Sequence, residues 1–202
     1  MSTGYALAYR FGLTPWERAG KAAQASFDAL LDREEADRVK PLGRALDLGC
    51  GRGQHTHDLA RRGWEAVGLD NVPRAVHAAE ANGQSSATFT LGDVTDLRSA
   101  ELGTFDFFLD VGCFHGLDAS QRRAEAEGIT AMAKDGSTVL VLGFQPAGLP
   151  FVPRGVTRAD VEAAFTGWDL VSVDAADTSG MPKPLKKTQP QWYRLRKRPA
   201  VA

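Results

Sequence analysis

The feature that most constrains this chain is a short apolar segment that runs into three closely spaced glycines. Residues 45–48 predict a short buried strand, and Gly49, Gly51 and Gly53 follow it at intervals of two residues. Because glycine has no Cβ atom, the chain can turn sharply there and a ligand can lie directly on the backbone. A helix-like run over residues 54–62 follows. The segment therefore predicts a strand, a turn and a helix N-terminus, as in nucleotide sites at the carboxyl end of a parallel strand.

The residues around this turn indicate which kind of ligand it suits. A dinucleotide fingerprint, G-x-G-x-x-G, would place its third glycine where this chain has Gln54. Asp47, two residues before the first glycine, would repel a pyrophosphate and attract an ammonium or sulfonium group. An NAD-dependent oxidoreductase is therefore disfavoured. A tight turn that binds no ligand is the alternative.

The stretch from Asp47 to Gly53 resembles the first motif of the class I S-adenosylmethionine-dependent methyltransferases, D/E-x-G-x-G-x-G, at every fixed position. The resemblance implies a three-layer α/β Rossmann-like fold with a seven-stranded, mostly parallel sheet whose last strand is antiparallel. It also implies S-adenosyl-L-methionine as cofactor and S-adenosyl-L-homocysteine as product. We expect a single domain over residues 1–202, with an N-terminal lid and helix over 1–40 and the core over 44–202.

Composition agrees with an ordinary soluble globular protein. The chain has 202 residues, 43% hydrophobic and 24% charged, and a net charge of −1, which gives it no general attraction to nucleic acid or anionic lipid. Its two cysteines lie in apolar segments, which favours reduced thiols. No apolar run is long enough to span a bilayer and no signal pattern opens the chain. We expect a cytoplasmic protein, monomeric or homodimeric, without a membrane or nucleic-acid partner.

Acidic residues follow two further predicted strands. Asp70 ends the strand over residues 64–69, about 20 residues after the first strand, where an acid commonly accepts ribose hydroxyls; the alternative is a cap for the helix that follows, a role Asn71 could also fill. Asp93 follows the strand over residues 87–91. The resemblance implies that Asp93 receives the adenine amine and that Val94 packs on the ring; the alternative is that Asp93 only turns the chain.

The residues expected to contact the cofactor lie at the ends of the first four strands and in the N-terminal segment. They are Trp16, Asp47, Gly49, Cys50, Gly51, Gly53, Asp70, Asn71, Gly92, Asp93, Val94, Asp110 and Val111.

The loop after the fourth strand is the expected place of chemistry. The strand covers residues 105–111 and its near-continuous apolar character suits a central parallel strand. By the resemblance, the loop over 112–116 faces the transferred methyl group. His115 could accept a proton from an acceptor because its pKa lies near neutrality; alternatively, it is a loop histidine satisfied by backbone. Phe114 could stack on a substrate or belong to the core, and Cys113 is interpreted as packing.

The N-terminal segment predicts a helix that begins near Thr14 and runs to about Val39. Trp16 lies in a segment similar to the N-terminal lid of small-molecule methyltransferases of the thiopurine and tellurite-resistance types, although it could equally staple the helix to the sheet. The residues expected to contact a substrate belong to this lid, to the loop at 112–116 and to the loop at 144–155. They are Tyr5, Tyr9, Phe114, His115, Phe144 and Arg154.

The remaining elements follow from periodicity and turn residues. Helices are predicted over 119–134 and from 157 to 165, and strands over 137–143, 168–173 and 191–196. The lysines at 181–187 are interpreted as a charged hairpin that protects an edge strand, with nucleic-acid binding as the alternative.

The sequence thus predicts methyl transfer to an oxygen, nitrogen or sulfur atom of a small, aromatic or heterocyclic molecule. The loop after the fourth strand lacks the prolines of enzymes that methylate bases or glutamine. No metal site is expected, because His55 and His57 are two residues apart on a predicted helix and no metal-ligand motif occurs. The alternatives are a cofactor-binding regulatory protein without turnover and a methyltransferase that acts on nucleic acid.

Overall fold

A seven-stranded sheet forms the centre of the computed structural model, which describes residues 24–36, 38–83, 86–148, 154–181 and 183–199. The strands are β1 (Arg44–Leu48), β2 (Glu65–Asp70), β3 (Thr88–Leu91), β4 (Phe105–Val111), β5 (Ala133–Gly143), β6 (Trp168–Ala175) and β7 (Gln191–Lys197). The helices are α1 (Gln24–Glu35), α2 (Gln54–Arg62), α3 (Pro73–Ala81), α4 (Ala119–Met132), α5 (Arg158–Ala164) and α6 (Lys183–Lys186), with 3₁₀ turns over Val94–Ala100 and Phe114–Gly116.

The strand order is β3-β2-β1-β4-β5-β7-β6. The pairs within the first five strands of this order are parallel, whereas β7 runs antiparallel to both β5 and β6. Helices connect the parallel strands and cover both faces of the sheet, as parallel sheets require. The predicted fold class, including the antiparallel last strand, is confirmed.

Alternating residues of the central strands supply two apolar cores, one on each face of the sheet. Phe108 belongs to the core that includes Ile129 of α4 and Phe165 after α5. Phe107, the preceding residue of β4, belongs to the core that includes Leu31 of α1. Because successive side chains of a strand point to opposite faces of the sheet, β4 contributes side chains to both cores. This explains why its sequence is apolar almost without interruption.

Two predicted helix boundaries are wrong. The helix predicted over 119–134 ends at Met132, because Ala133 adopts extended backbone and pairs with Phe105 on β4. The four residues 134–137 then lie between the Ala133–Phe105 and Thr138–Phe107 pairs, and Gly136 supports this irregularity with a φ of 76°. The first helix ends at Glu35 rather than near Val39. Its predicted beginning near Thr14 lies outside the described residues.

The lysine-rich connection between β6 and β7 contains a short helix, α6, rather than a simple hairpin turn. The two strands it joins do pair antiparallel, and β6 forms one edge of the sheet. Across the described ranges, none of the helices has both the length and the apolar character that crossing a membrane demands.

A buried carboxylate ties α1 to the sheet. Glu34 is 2% exposed and accepts hydrogen bonds from Arg38 of the same segment, from Thr138 on β5 and from Arg194 on β7, whose Nε lies 2.7 Å from Oε2. Buried charges are tolerated when they are paired and fully hydrogen-bonded. This network holds the carboxyl end of α1 against the sheet.

We therefore expect Glu34→Ala to lower the free energy of unfolding by about 3 kcal/mol, because it leaves two largely buried arginines without their carboxylate. Urea unfolding followed by circular dichroism measures this. Glu162→Ala is the matched control: Glu162 pairs with Arg158 on the exposed face of α5, and its loss should cost at most about 0.5 kcal/mol. Equal losses in the two variants would contradict the assigned role of Glu34.

Candidate active site

Three acids converge at one edge of the sheet. Asp47, Asp70 and Asp110 lie on β1, β2 and β4, which are adjacent and parallel, so their carboxyl ends meet at the same edge. All three side chains are buried, with exposed fractions of 2%, 7% and 0%. The sequence analysis placed acids at strand ends for Asp47, Asp70 and Asp93, whereas Asp110 was named only among the residues expected to contact the cofactor.

The glycine turn sits beside these acids and needs its glycines. Gly49, Gly51 and Gly53 have φ values of 67°, 55° and 78°, in the left-handed region that disfavours side chains. A Cβ atom on Gly49 would also collide with the sulfur of Cys113 in the loop after β4. Cys113 thus packs directly on the turn, as interpreted from the sequence, and burial raises the pKa of its thiol well above the usual value. Cys50 also lies in the turn, half-buried, with its N–H donating to the Leu69 carbonyl.

Asp47 faces the first turn of α2. Its Oδ2 accepts a 2.6 Å hydrogen bond from the hydroxyl of Thr56. Burial, together with the charges of Asp110 and Asp70, raises the pKa of Asp47 to about 7, although the Thr56 bond opposes the shift. The described residues around Asp47 therefore make a strongly negative environment without an adjacent cation.

Asp70 braces the glycine turn. Its Oδ2 accepts from the Gly51 N–H at 2.9 Å and its Oδ1 accepts from the Val72 N–H at 2.8 Å. Val72, and not Asn71, is the N-cap residue of α3, and Asn71 is exposed. Each carboxylate oxygen has a second lone pair, so this bracing role leaves acceptor capacity for a ligand's hydroxyl groups.

The end of β3 lies beside Asp70. The Gly92 N–H donates to the carbonyl oxygen of Asp70 at 3.0 Å. Asp93 caps the following 3₁₀ turn, and both of its bonds, from the Thr95 N–H and hydroxyl, use Oδ1. The turn-forming alternative for Asp93 is therefore observed, and it occupies one of the two carboxylate oxygens. Val94 is half-buried against the core.

Asp110 shapes the loop that follows β4. Its Oδ1 accepts from the N–H groups of Gly112 and Cys113, and its Oδ2 accepts from that of Phe114 at 3.0 Å. The carboxylate is thus used inside the protein, and only the backbone of Asp110 is left to meet a cofactor at this strand end. Val111 is half-buried beside it.

Phe114 belongs to the core. It is fully buried and its ring lies 5.6 Å from that of Phe165 between centroids. The prediction that Phe114 contacts a substrate is therefore corrected, because its side chain packs towards α5 and not towards the strand ends. Aromatic residues serve a core and a pocket equally well, so the sequence could not separate the two.

His115 is buried, with 2% of its surface exposed, and stacks on Phe144 with 4.4 Å between ring centroids. Its Nδ1 lies 3.2 Å from the carbonyl oxygen of Leu142. Because a carbonyl only accepts, Nδ1 carries the hydrogen in the neutral ring and Nε2 carries the lone pair. Burial lowers the pKa of His115, so the neutral form prevails at pH 7. The backbone contact foreseen as the alternative thus exists and also fixes the tautomer.

The remaining residues predicted to contact a substrate differ in their burial. Phe144 is half-buried against His115, whereas Arg154 is exposed. The Gly155 N–H donates to the His115 carbonyl at 3.1 Å, so the two loops are joined. The predicted contacts in the N-terminal lid lie outside the described residues; these are Tyr5, Tyr9 and Trp16.

Sequence reasoning missed two polar residues on the buried face of α4. Arg122 donates to the carbonyl oxygens of Phe114 at 3.1 Å and Gly155 at 2.5 Å, so it holds both loops. Glu125 is fully buried one turn later. Helical spacing could have found them, because both residues share a helical face with the buried apolar residues Ile129 and Met132.

Known proteins with similar sequences are methyltransferases. Residues 45–136 match the family model of a methyltransferase domain. A 2-heptyl-1-hydroxyquinolin-4(1H)-one methyltransferase from Mycobacteroides abscessus is 32% identical over 118 residues, which is 56% of this chain and 52% of that protein. An uncharacterized methyltransferase from Synechocystis is 30% identical over 137 residues, which is 67% of this chain and 64% of that protein. This chain thus spans between half and two thirds of the length of these two curated relatives.

Solved structures agree in fold. The 1,6-didemethyltoxoflavin-N1-methyltransferase of Burkholderia thailandensis, solved with 1,6-didemethyltoxoflavin and S-adenosylhomocysteine bound, superposes with a TM-score of 0.74 at 19% identity. The superposition covers 98% of this chain and 87% of that one. The glycine motif, the sheet order and the matched domain model agree: residues 45–136 form a methyltransferase domain, and the sheet has the order of the class I S-adenosylmethionine-dependent methyltransferase fold.

Proposed function

We propose that this chain binds S-adenosyl-L-methionine and transfers its methyl group to an oxygen, nitrogen or sulfur atom of a small aromatic or heterocyclic molecule. The observation that carries the proposal is the group of buried acids around the glycine turn. Asp47 feels the charges of Asp70 and Asp110, and a cationic ligand would relieve their mutual repulsion. A cofactor with a sulfonium and an ammonium group fits that environment, whereas a pyrophosphate does not.

Different residues of this chain would hold different parts of the cofactor. Asp47 and the backbone of the glycine turn would hold its methionine portion. Asp70 would accept the ribose hydroxyls with the lone pairs that Gly51 and Val72 leave unused. Asp93 would receive the adenine amine through Oδ2, and Val94 would contact the ring. When bound, the cofactor supplies a methyl group already activated on a positive sulfur, so the protein needs mainly to align and desolvate the acceptor.

The acceptor side rests on His115 and Phe144. The bond from Nδ1 of His115 to the Leu142 carbonyl leaves Nε2 as a proton acceptor on a neutral ring, which suits a general base. Phe144, stacked on His115, offers an aromatic surface beside it. The names of two similar proteins specify heterocyclic compounds, a hydroxyquinolinone and a toxoflavin precursor, which supports an acceptor of that class.

Calorimetry and a turnover screen test the proposal together. We expect S-adenosyl-L-methionine to bind and NADH to give no heat, and we expect turnover with some small phenols, thiols or ring nitrogens. Cofactor binding without turnover on any acceptor would favour a regulatory protein. Turnover confined to RNA or protein would reject the small-molecule assignment, and heat with NADH alone would reject the cofactor.

For His115→Ala we expect turnover to fall by about 10²–10⁴-fold, the usual contribution of a general base, while cofactor affinity changes little. A series of phenols of decreasing pKa makes the test specific, because an acceptor that is already ionised needs no base. The loss should therefore shrink along the series. His77→Ala, on the exposed face of α3, is the control. A loss of equal size for every phenol would remove the base role.

Asp47 predicts how cofactor binding depends on pH. Its pKa is about 7 in the free protein, and a cation favours the ionised form, so binding should tighten as pH rises from 6 to 8. Below pH 7 each unit should weaken binding by up to tenfold, because a proton must leave first. Asp47→Asn should flatten the profile, whereas Asp96→Asn, at an exposed site, should not. The cofactor and its demethylated product carry the same amino group. Titrating both in parallel and comparing their pH profiles therefore removes the contribution of that group's own protonation. Identical profiles for wild type and Asp47→Asn would contradict the prediction.

A further inference from the structure

Beneath the loop over residues 112–116, two carboxyl groups meet in the protein interior. Asp110 and Glu125 are both fully buried, and their side chains lie within hydrogen-bonding reach of each other. Neither carboxyl oxygen of Glu125 has a hydrogen-bond donor among the described residues. Two ionised carboxylates in contact, away from water, would repel each other strongly. The pair is stable only if one of its members carries a proton.

The donors around the pair decide which member carries it. Asp110 accepts three backbone N–H bonds, from Gly112, Cys113 and Phe114, and such bonds favour the ionised form of a carboxyl group. Glu125 receives none from the described residues. A proton on Glu125 gives that side chain a hydrogen to donate and gives Asp110 a fourth bond.

We propose that Glu125 is a positioning residue: protonated, it donates a hydrogen bond to Asp110 and thereby fixes the loop that carries His115. Asp110 links the two, because the same carboxylate holds the N–H groups of residues 112–114. The catalytic consequence rests on the function proposed above, whereas the protonation itself does not.

The charged and titratable groups around Glu125 agree with this assignment. Burial, together with the negative charges of Asp110 and, to a smaller extent, Asp93, raises the pKa of Glu125 well above its usual value. His115 is held neutral by burial and Cys113 remains a thiol. Arg122, one turn earlier on α4, directs its donors at the carbonyl oxygens of the two loops rather than at Glu125.

Infrared spectroscopy tests the protonation. Asp47, with a pKa of about 7, contributes a band of its own at pH 7, so the measured quantity is the difference between the spectra of wild type and each variant. We expect the wild-type spectrum minus that of Glu125→Gln to show a carbonyl stretching band of a buried, protonated carboxylic acid that shifts in heavy water. The wild-type spectrum minus that of Glu127→Gln, which alters an exposed residue of the same helix, should show no such band. Absence of the band from the first difference would overturn the proposal.

The pH dependence of stability gives a second measurement. A group whose pKa is raised on folding binds its proton more tightly in the folded state, so its stabilisation is lost as pH rises above its unfolded value. Between pH 5 and 8 the unfolding constant of wild type should rise relative to that of Glu125→Gln, by up to tenfold per unit. Glu127→Gln should follow wild type. Equal slopes for wild type and Glu125→Gln would overturn the proposal.

Turnover tests the positioning role. The amide of Glu125→Gln can donate to Asp110 in place of the proton, so this variant should keep kcat within about threefold of wild type. Glu125→Ala removes the donor, and we expect kcat to fall at least tenfold with cofactor affinity little changed. Equal losses of kcat in the two variants would refute positioning through this bond. If wild type itself shows no turnover, the proposed function fails, while the infrared and stability results still decide the protonation.

Discussion

The structure depends on the way acidic side chains at parallel strand ends are satisfied by backbone N–H groups. Asp70 holds the N–H of Gly51 in the glycine turn, and Asp110 holds three N–H groups in the loop after β4. Hydrogen bonds from the backbone make a buried carboxylate tolerable. The same bonds fix the conformation of the turn and the loop, so the acids act as the internal supports of both.

The two supported segments also contact each other. Cys113, in the loop fixed by Asp110, packs against Gly49, which has no side chain to displace it. On the other side, Arg122 joins that loop to residues 154–156 through two carbonyl oxygens. The segment that carries His115 is therefore fixed by contacts with the sheet, with the glycine turn and with α4. If His115 acts as the proposed base, this support leaves it little reorganisation when an acceptor binds.

Local patterns predicted the helices and strands, and therefore the layers, well, whereas the arrangement of the sheet with its antiparallel last strand was implied by the family resemblance. The helix over 54–62 and the strand over 105–111 have the predicted bounds, since their periodicity and glycine boundaries are local. Residues 133 and 134 were assigned to a helix because Asp135 and Gly136 resemble a helix stop, whereas pairing of Ala133 with Phe105 decides the conformation. The contacts that join the site segments to one another, such as the Gly51 N–H with Asp70 and the Gly155 N–H with the His115 carbonyl, link residues far apart in the chain, and composition does not reveal them.

Burial of several acids at one edge has an electrostatic cost that the free protein carries. Asp47 shows it most directly, with a pKa near 7 that burial and two neighbouring acids produce. Desolvation and like charge both favour the neutral form of a carboxyl group, while a bound cation favours the ionised form. An arrangement that is unfavourable in the empty state thus becomes favourable on binding a positive ligand. Under the proposed function, the acidic strand ends would favour a positively charged ligand, and the glycine turn would let that ligand lie close to the backbone.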